Sequence, residues 1–157
     1  MPAEKKERDE GIMVAVGAVI LDETNRVLLV NHVEAKRGGF WFGKWICPGG
    51  KLQYGESLEE GTKREVNEET GLGIELTGKP IVFDRIVKKG DRTELHVVYI
   101  DHTARKIRGQ LKAGSDVAIA RWFSQEELRA QWNDLHEDTR RLLLESKVVD
   151  EDVKIIA

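Results

Sequence analysis

Short β-branched runs alternate along this chain with one strongly charged stretch near the middle. Ile12 to Leu21 (IMVAVGAVIL) is almost wholly apolar and long enough for a buried central strand. Asp22-Glu23-Thr24-Asn25 supplies turn chemistry, and Arg26 to Asn31 reads as the return arm of a hairpin. A loop from His32 to Gly43 follows. Lys44 to Cys47 then forms a short strand leading into a Pro48-Gly49-Gly50 loop. Ile74 to Leu76 begins another strand, and a second hairpin joins Ile81–Lys88 to Thr93–His102 through Lys89-Gly90-Asp91-Arg92. Ala118 to Phe123 is the last strand. Ser124 caps a short helix after it, and a final helical pattern runs from about Leu135 to Val148.

The charged stretch, Gly50 to Leu72 (GKLQYGESLEEGTKREVNEETGL), interrupts this β-rich pattern with a helix. Ser57 and Glu60 make a capping box, so the helix starts at Leu58; Gly71 sits where a left-handed residue would end it. Glu65, Glu68 and Glu69 then stand at i, i+3 and i+4 and share one face. Like charges at that spacing destabilise a helix by roughly 0.2–0.5 kcal/mol per pair, a cost that a bound cation removes. Several hard oxygen donors suit Mg²⁺ or Mn²⁺ better than zinc. Clustered carboxylates and a hard divalent ion point toward phosphate chemistry.

Gly50, Glu56, Arg64-Glu65, Glu68-Glu69 and Gly71, followed by Leu72, resemble the Nudix box of the Nudix hydrolases without departure. Seven fixed identities at about 7% usage each arise by chance on the order of 10⁻⁸ times per start position. The resemblance implies an α/β/α sandwich around a central mixed β-sheet, covering roughly residues 12 to 130, with the box helix packed on the sheet. It implies hydrolysis of a nucleoside diphosphate linked to another moiety, with Mg²⁺ as cofactor and Mn²⁺ as substitute. By the same resemblance Glu65, Glu68 and Glu69 are metal ligands, joined by the Gly49 carbonyl, and Glu65 and Glu68 are catalytic. Glu56 and Arg64 become a structural ion pair between loop and helix, or Glu56 touches a second metal; Gly50 and Gly71 are structural. The family often adds an acid from a later loop, and Asp116 in Ala113-Gly114-Ser115-Asp116 is the candidate, although turn chemistry alone also accounts for an Asp there.

Further contacts to substrate can be assigned only by residue type. Lys36, Arg37, Arg85, Lys88 and Arg92 are cationic candidates for phosphate, of which Arg37 and Arg85 are carried forward. Phe40, Trp41 and Phe42 cannot all point inward from an extended segment, so Trp41 is a candidate for stacking on a base or for a subunit contact; Tyr54 is another. The four histidines show no tight metal-ligand spacing. His96 to Leu128 is similar to the branch labelled ADP-ribose pyrophosphatase. It lacks a proline about fifteen residues past the box, since Pro80 comes too early. A (d)NTP pyrophosphohydrolase and a silent nucleotide sensor are the alternatives.

Length and composition fit one domain at 12–157 behind a flexible, charged tail at 1–11. A net charge of −3 gives no sign of a nucleic-acid surface, and no apolar run approaches a membrane span. The single cysteine, Cys47, excludes an internal disulfide framework and fits a cytoplasmic setting. The expected partner is a small nucleotide, with a homodimer as the one assembly considered.

Overall fold

The apolar run at the head of the chain becomes the hub of a six-stranded sheet. The computed structural model describes residues 11–32 and 39–150. The strands are β1 (Met13–Leu21), β2 (Val27–His32), β3 (Gly49–Lys51), β4 (Gly73–Lys89), β5 (Arg92–Arg108) and β6 (Val117–Phe123). Among the described residues three α-helices, α1 (Leu58–Thr70), α2 (Gln125–Ala130) and α3 (Glu137–Glu145), accompany them, with a 3₁₀ turn at Trp132–Asp134. The order is β4-β5-β1-β2-β6, with β3 also paired to β1. Among the described residues only the β1–β5 strand pair is parallel, so the sheet is mixed.

Alternation along β1 sends Ala18 and Ile20 to one face and Val19 to the other. On the first face Val66 of α1 packs with Ala18, Ile20, Leu28 and Ala104. On the second, Leu128 of α2 and Leu142 and Leu143 of α3 pack with Val19, Leu29 and Phe123. Full burial of each such Leu, Val or Phe contributes about 1.5–3 kcal/mol. The result is the α/β/α sandwich.

Two strands share one edge of β1. β2 pairs at Leu21, whereas β3 pairs antiparallel at Ala15 to Gly17, so the sheet forks there. This corrects the expected strand at Lys44–Cys47 and loop at Pro48-Gly49-Gly50. Trp45 and Ile46 form only isolated bridges, and the glycines themselves make the strand. The reason is steric: Gly17 faces Gly49, and a Cβ on Gly49 would stand 2.8 Å from the Gly17 Cα.

The second hairpin is longer than its apolar runs. β4 absorbs Ile74–Leu76 and passes through Gly78-Lys79-Pro80 with a register shift between Thr77 and Ile81. Pro80 is tolerated because β4 is an edge strand and the shift removes its ladder position. The last helix is shorter than expected, since His136 caps it and Ser146 ends it. Of the proposed tail 1–11 only Gly11 is described; Arg37 and residues 151–157 lie outside the described residues. Among the described residues no helix is long and apolar enough to cross a membrane.

Candidate active site

α1 delivers the acids. Ser57 and Glu60 form the capping box at its start, and Gly71 closes it with φ 77° and an N–H bonded to the Asn67 carbonyl. Between these ends Glu69 is 3% exposed and accepts a 3.0 Å hydrogen bond from the Gly49 N–H. Burial pushes the Glu69 carboxyl up to about 9; Glu65, Asp116 and Glu68 add to the rise and the Gly49 N–H opposes it. Burial also raises Glu65, against the pull of Arg64. The Glu65 carboxylate fills the space beside Gly50, where a Cβ would stand 2.5 Å from its carboxyl carbon. Any side chain at Gly50 would displace that acid.

Arg64 locks the entry loop to the helix. Its Nε and Nη2 donate to the two Glu56 oxygens at 2.8 Å each, and Nη2 also reaches the Lys51 carbonyl at 3.1 Å. Nη1 donates to Glu65 at 3.0 Å and Glu68 at 3.3 Å. The Arg64 guanidinium, with the Gln53 N–H, holds Glu56 down to about 2. Glu56 is thereby an ion-pair partner; both its oxygens are engaged.

The opposite wall brings in residues remote in sequence. Lys112 N–H bonds the Thr70 carbonyl at 2.9 Å and Gly114 N–H the Glu69 carbonyl at 3.1 Å, fastening the loop before β6 to the end of α1. That loop presents Asp116 to the cavity. β2–β6 pairing sets His32 opposite Val117, beside Asp116. The His32 Nδ1 lies 3.4 Å from Asp116 and its Nε2 3.8 Å from Glu69, and one ligand atom from each of the three falls within a 4.8 Å group. His32 was missed by spacing arguments because a β-ladder, not a local motif, brings it in. Glu65, Glu68, Glu69, Gly49 and Asp116 all line one cavity of about 300 Å³. This donor set, oxygen-rich with one imidazole, fits a divalent cation.

The far end of the cavity is aromatic. Trp41, Phe42 and Tyr99 line it, and the Trp41 Nε1–H donates to the Tyr99 hydroxyl at 3.0 Å. Tyr99 in turn donates to Asp138, which also accepts from Arg85. Phe40 packs edge-on against His136, 4.5 Å between centroids. The His136 Nδ1 accepts from the Asp138 N–H at 3.0 Å, so its Nε2 carries the proton given to the Phe40 carbonyl, also 3.0 Å away. Burial lowers the His136 pKa, which keeps it in this neutral form. Two substrate candidates fall elsewhere. Tyr54 is fully solvent-exposed and does not line the cavity, because the loop carries it outward. Arg85 is taken up by Asp138 and Glu137, the latter at 2.7 Å, and is likewise outside the lining.

One further acid, Asp101, lines the cavity from β5. It is 7% exposed, and burial pushes its carboxyl up to about 7. The strand alternation Val97, Tyr99, Asp101 is the signal that finds it: an acid on an otherwise apolar face.

A forked mixed sheet clasped by helices, with carboxylates converging at one end of a cavity, defines a metal-hydrolase class of site. A family model for the NUDIX domain matches residues 11–144, and the chain belongs to that family. It is 33% identical over 116 residues to the ADP-ribose pyrophosphatase of Methanocaldococcus jannaschii, covering 73% of this chain and 63% of that protein. It is 37% identical over 86 residues to the oxidized purine nucleoside triphosphate hydrolase of Mus musculus, covering 54% of this chain and 52% of the relative. Among solved structures, a MutT NUDIX hydrolase from Burkholderia pseudomallei superposes with a TM-score of 0.70 at 27% identity, over 85% of this chain and 97% of the other. The chain spans less than two thirds of the length of either named sequence relative.

Proposed function

We propose that the chain hydrolyses the pyrophosphate linkage of a nucleoside diphosphate joined to another group, in a divalent-metal-dependent reaction. The observation that carries this reading is the convergence of Glu65, Glu68, Glu69 and Asp116 at one end of a cavity whose other end is aromatic. Bound Mg²⁺, or Mn²⁺ in its place, would neutralise the phosphate oxygens and lower the pKa of an attacking water. Glu69, Glu68, Glu65 and the Gly49 carbonyl would hold the ion. Arg64 keeps Glu65 and Glu68 oriented while bracing the loop through Glu56. Glu65 positions the water, and Asp116 on the opposite wall accepts its proton. Trp41 offers its ring to the group beyond the phosphates.

Two substrate classes follow from the relatives. ADP-ribose-like diphosphates are favoured by the similarity of His96 to Leu128 to that branch and by the Methanocaldococcus relative's name. (d)NTPs with an oxidised purine are favoured by the mouse relative's name. A product assay with Mg²⁺ against an EDTA control separates them. ADP-ribose would give AMP and ribose 5-phosphate, a triphosphate would give monophosphate and pyrophosphate, and ¹⁸O-water would mark the phosphorus attacked. Glu68→Gln and Glu69→Gln should each lose metal affinity and activity by at least about tenfold. Asp116→Asn should lower kcat, with nucleotide Kd little changed. Near-normal rates in both glutamate variants would remove the reading, and metal binding without turnover of any substrate would favour a sensor. A cytoplasmic setting is consistent with the free, buried Cys47 thiol. The exposed apolar face of β4 and β5 fits a second copy of this chain, giving a homodimer.

A further inference from the structure

Asp101 differs from every other acid around the cavity. Glu69 accepts from Gly49, Glu65 and Glu68 accept from Arg64, and Asp138 accepts from Arg85 and Tyr99. No hydrogen-bond donor among the described residues reaches the Asp101 carboxyl, although the residue is only 7% exposed. Its oxygens are not among the side-chain atoms sealed from solvent without a partner, so they face the cavity, where a ligand can reach them. Its surroundings are also built for it. Gly17 lies beside it in the β1–β5 ladder, and a Cβ there would stand 2.6 Å from the Asp101 Oδ1. Glycine at that place leaves the carboxyl its room on the cavity wall.

The position is informative. Gly17 pairs with Asp101 on one side and with Gly49 on the other, and Gly49 is the residue whose N–H meets Glu69. The Asp101 carboxyl leans over Gly17 toward the strand at the acidic end, since the place of a Gly17 Cβ is 2.6 Å from its Oδ1 and 3.4 Å from the Gly49 Cα. Tyr99, two residues earlier on the same face, marks the aromatic end. A group bound between phosphates and aromatic wall would present its polar edge to this carboxyl.

We propose that Asp101 is the specificity-determining residue of the cavity, accepting two adjacent hydrogen-bond donors from the part of the nucleotide beyond its phosphates. This rests on the reading of the cavity as the nucleotide site. Two oxygens with four lone pairs match a pair of neighbouring donors, as a vicinal ribose diol or as the N1–H and 2-amino edge of a guanine. The rise in its pKa agrees, because it reflects burial with nothing donating to the charged form. A ligand's donors would supply what the protein withholds.

The test is binding calorimetry with Mg²⁺ and the probes GDP, IDP and 2′,3′-dideoxy-GDP, on wild type, Asp101→Asn and Asp101→Leu. IDP lacks the 2-amino group, and the dideoxy nucleotide lacks the diol. If the base edge is read, wild type should bind GDP about tenfold or more tighter than IDP; if the diol is read, the dideoxy probe should lose that factor instead. Asp101→Asn, which keeps the shape and offers one acceptor, should shrink the ratio, and Asp101→Leu should bring it close to one. Circular dichroism melts identify variants that have lost the fold, and the isosteric Asn variant keeps the test open if Leu fails to fold. Equal ratios in wild type and Asp101→Asn, or three equal probes in wild type, would overturn the proposal. Absent turnover in wild type with the ratios intact would instead overturn the hydrolase reading and leave Asp101 in its role.

Discussion

Glu69 illustrates how one side chain links stability, metal and pH. It is 3% exposed, and its carboxyl is pushed up to about 9 by burial and by the neighbouring Glu65, Asp116 and Glu68. The exposed group titrates at 4.5, so the folded chain holds this proton more tightly than the unfolded chain does. The stability this provides is fully present below pH 4.5 and is lost as pH rises through about 9. The displacement corresponds to up to about 6 kcal/mol in metal-free protein. In EDTA, the melting temperature of wild type should therefore fall from pH 5 to pH 9 relative to Glu69→Gln, which carries no titrating group there. Mg²⁺ should abolish the difference in slope, because a cation stabilises the ionised form. Parallel wild-type and variant curves in EDTA would show that Glu69 does not change charge in this window.

At the scale of elements, α1 was the most legible part of the chain because local chemistry marks both its ends. Ser57 and Glu60 bond reciprocally at the N-terminus, as their spacing predicts, and Gly71 adopts φ 77° at the other end. A Cβ at Gly71 would be strained by that angle and would stand 3.0 Å from the Gln110 carbonyl. Gly71→Ala should accordingly destabilise the fold by about 1–2 kcal/mol, read as a lower urea midpoint with unchanged m-value. An unchanged midpoint would mean that the turn after α1 relaxes freely. β3 could not be read in this way. Gly49-Gly50-Lys51 has no strand pattern of its own, and its extension is imposed by Gly17 across the ladder. His32 was hidden for the same reason, an isolated polar residue at a strand end that only pairing with β6 gives neighbours, whereas Asp101 stands out in the sequence as an acid on an otherwise apolar strand face. Tyr54 and Arg85 show the converse, since side-chain type proposed a contact that loop direction and the Asp138 ion pair redirect.

For the whole molecule, the sheet is covered unevenly. α1 packs over Ala18, Ile20 and Ile74, and the rest of that face carries Val82 and Ile86 of β4 beside Ile100 and His96 of β5. Val82 is 58% exposed, Ile86 48%, and Ile12 nearby in sequence to β1 is 60% exposed. Apolar side chains grouped on one sheet face are a common mark of an interface. We propose a second copy as the occupant. Asp84 lies 3.6 Å from His96 in the middle of the patch, and a two-fold axis there would set each Asp84 against the other chain's His96. β4 is also an open edge of the sheet, free to continue across such an axis. Sedimentation equilibrium at micromolar concentration should report a dimer for wild type and a monomer for the double variant Val82→Arg, Ile86→Arg. Neither Val82 nor Ile86 lines the cavity, so the dissociated variant should keep its nucleotide affinity. A monomeric wild type would return this face to solvent. A dimer that survives both arginines would move the contact to another surface, with Phe42, 49% exposed at the cavity, the next place to substitute.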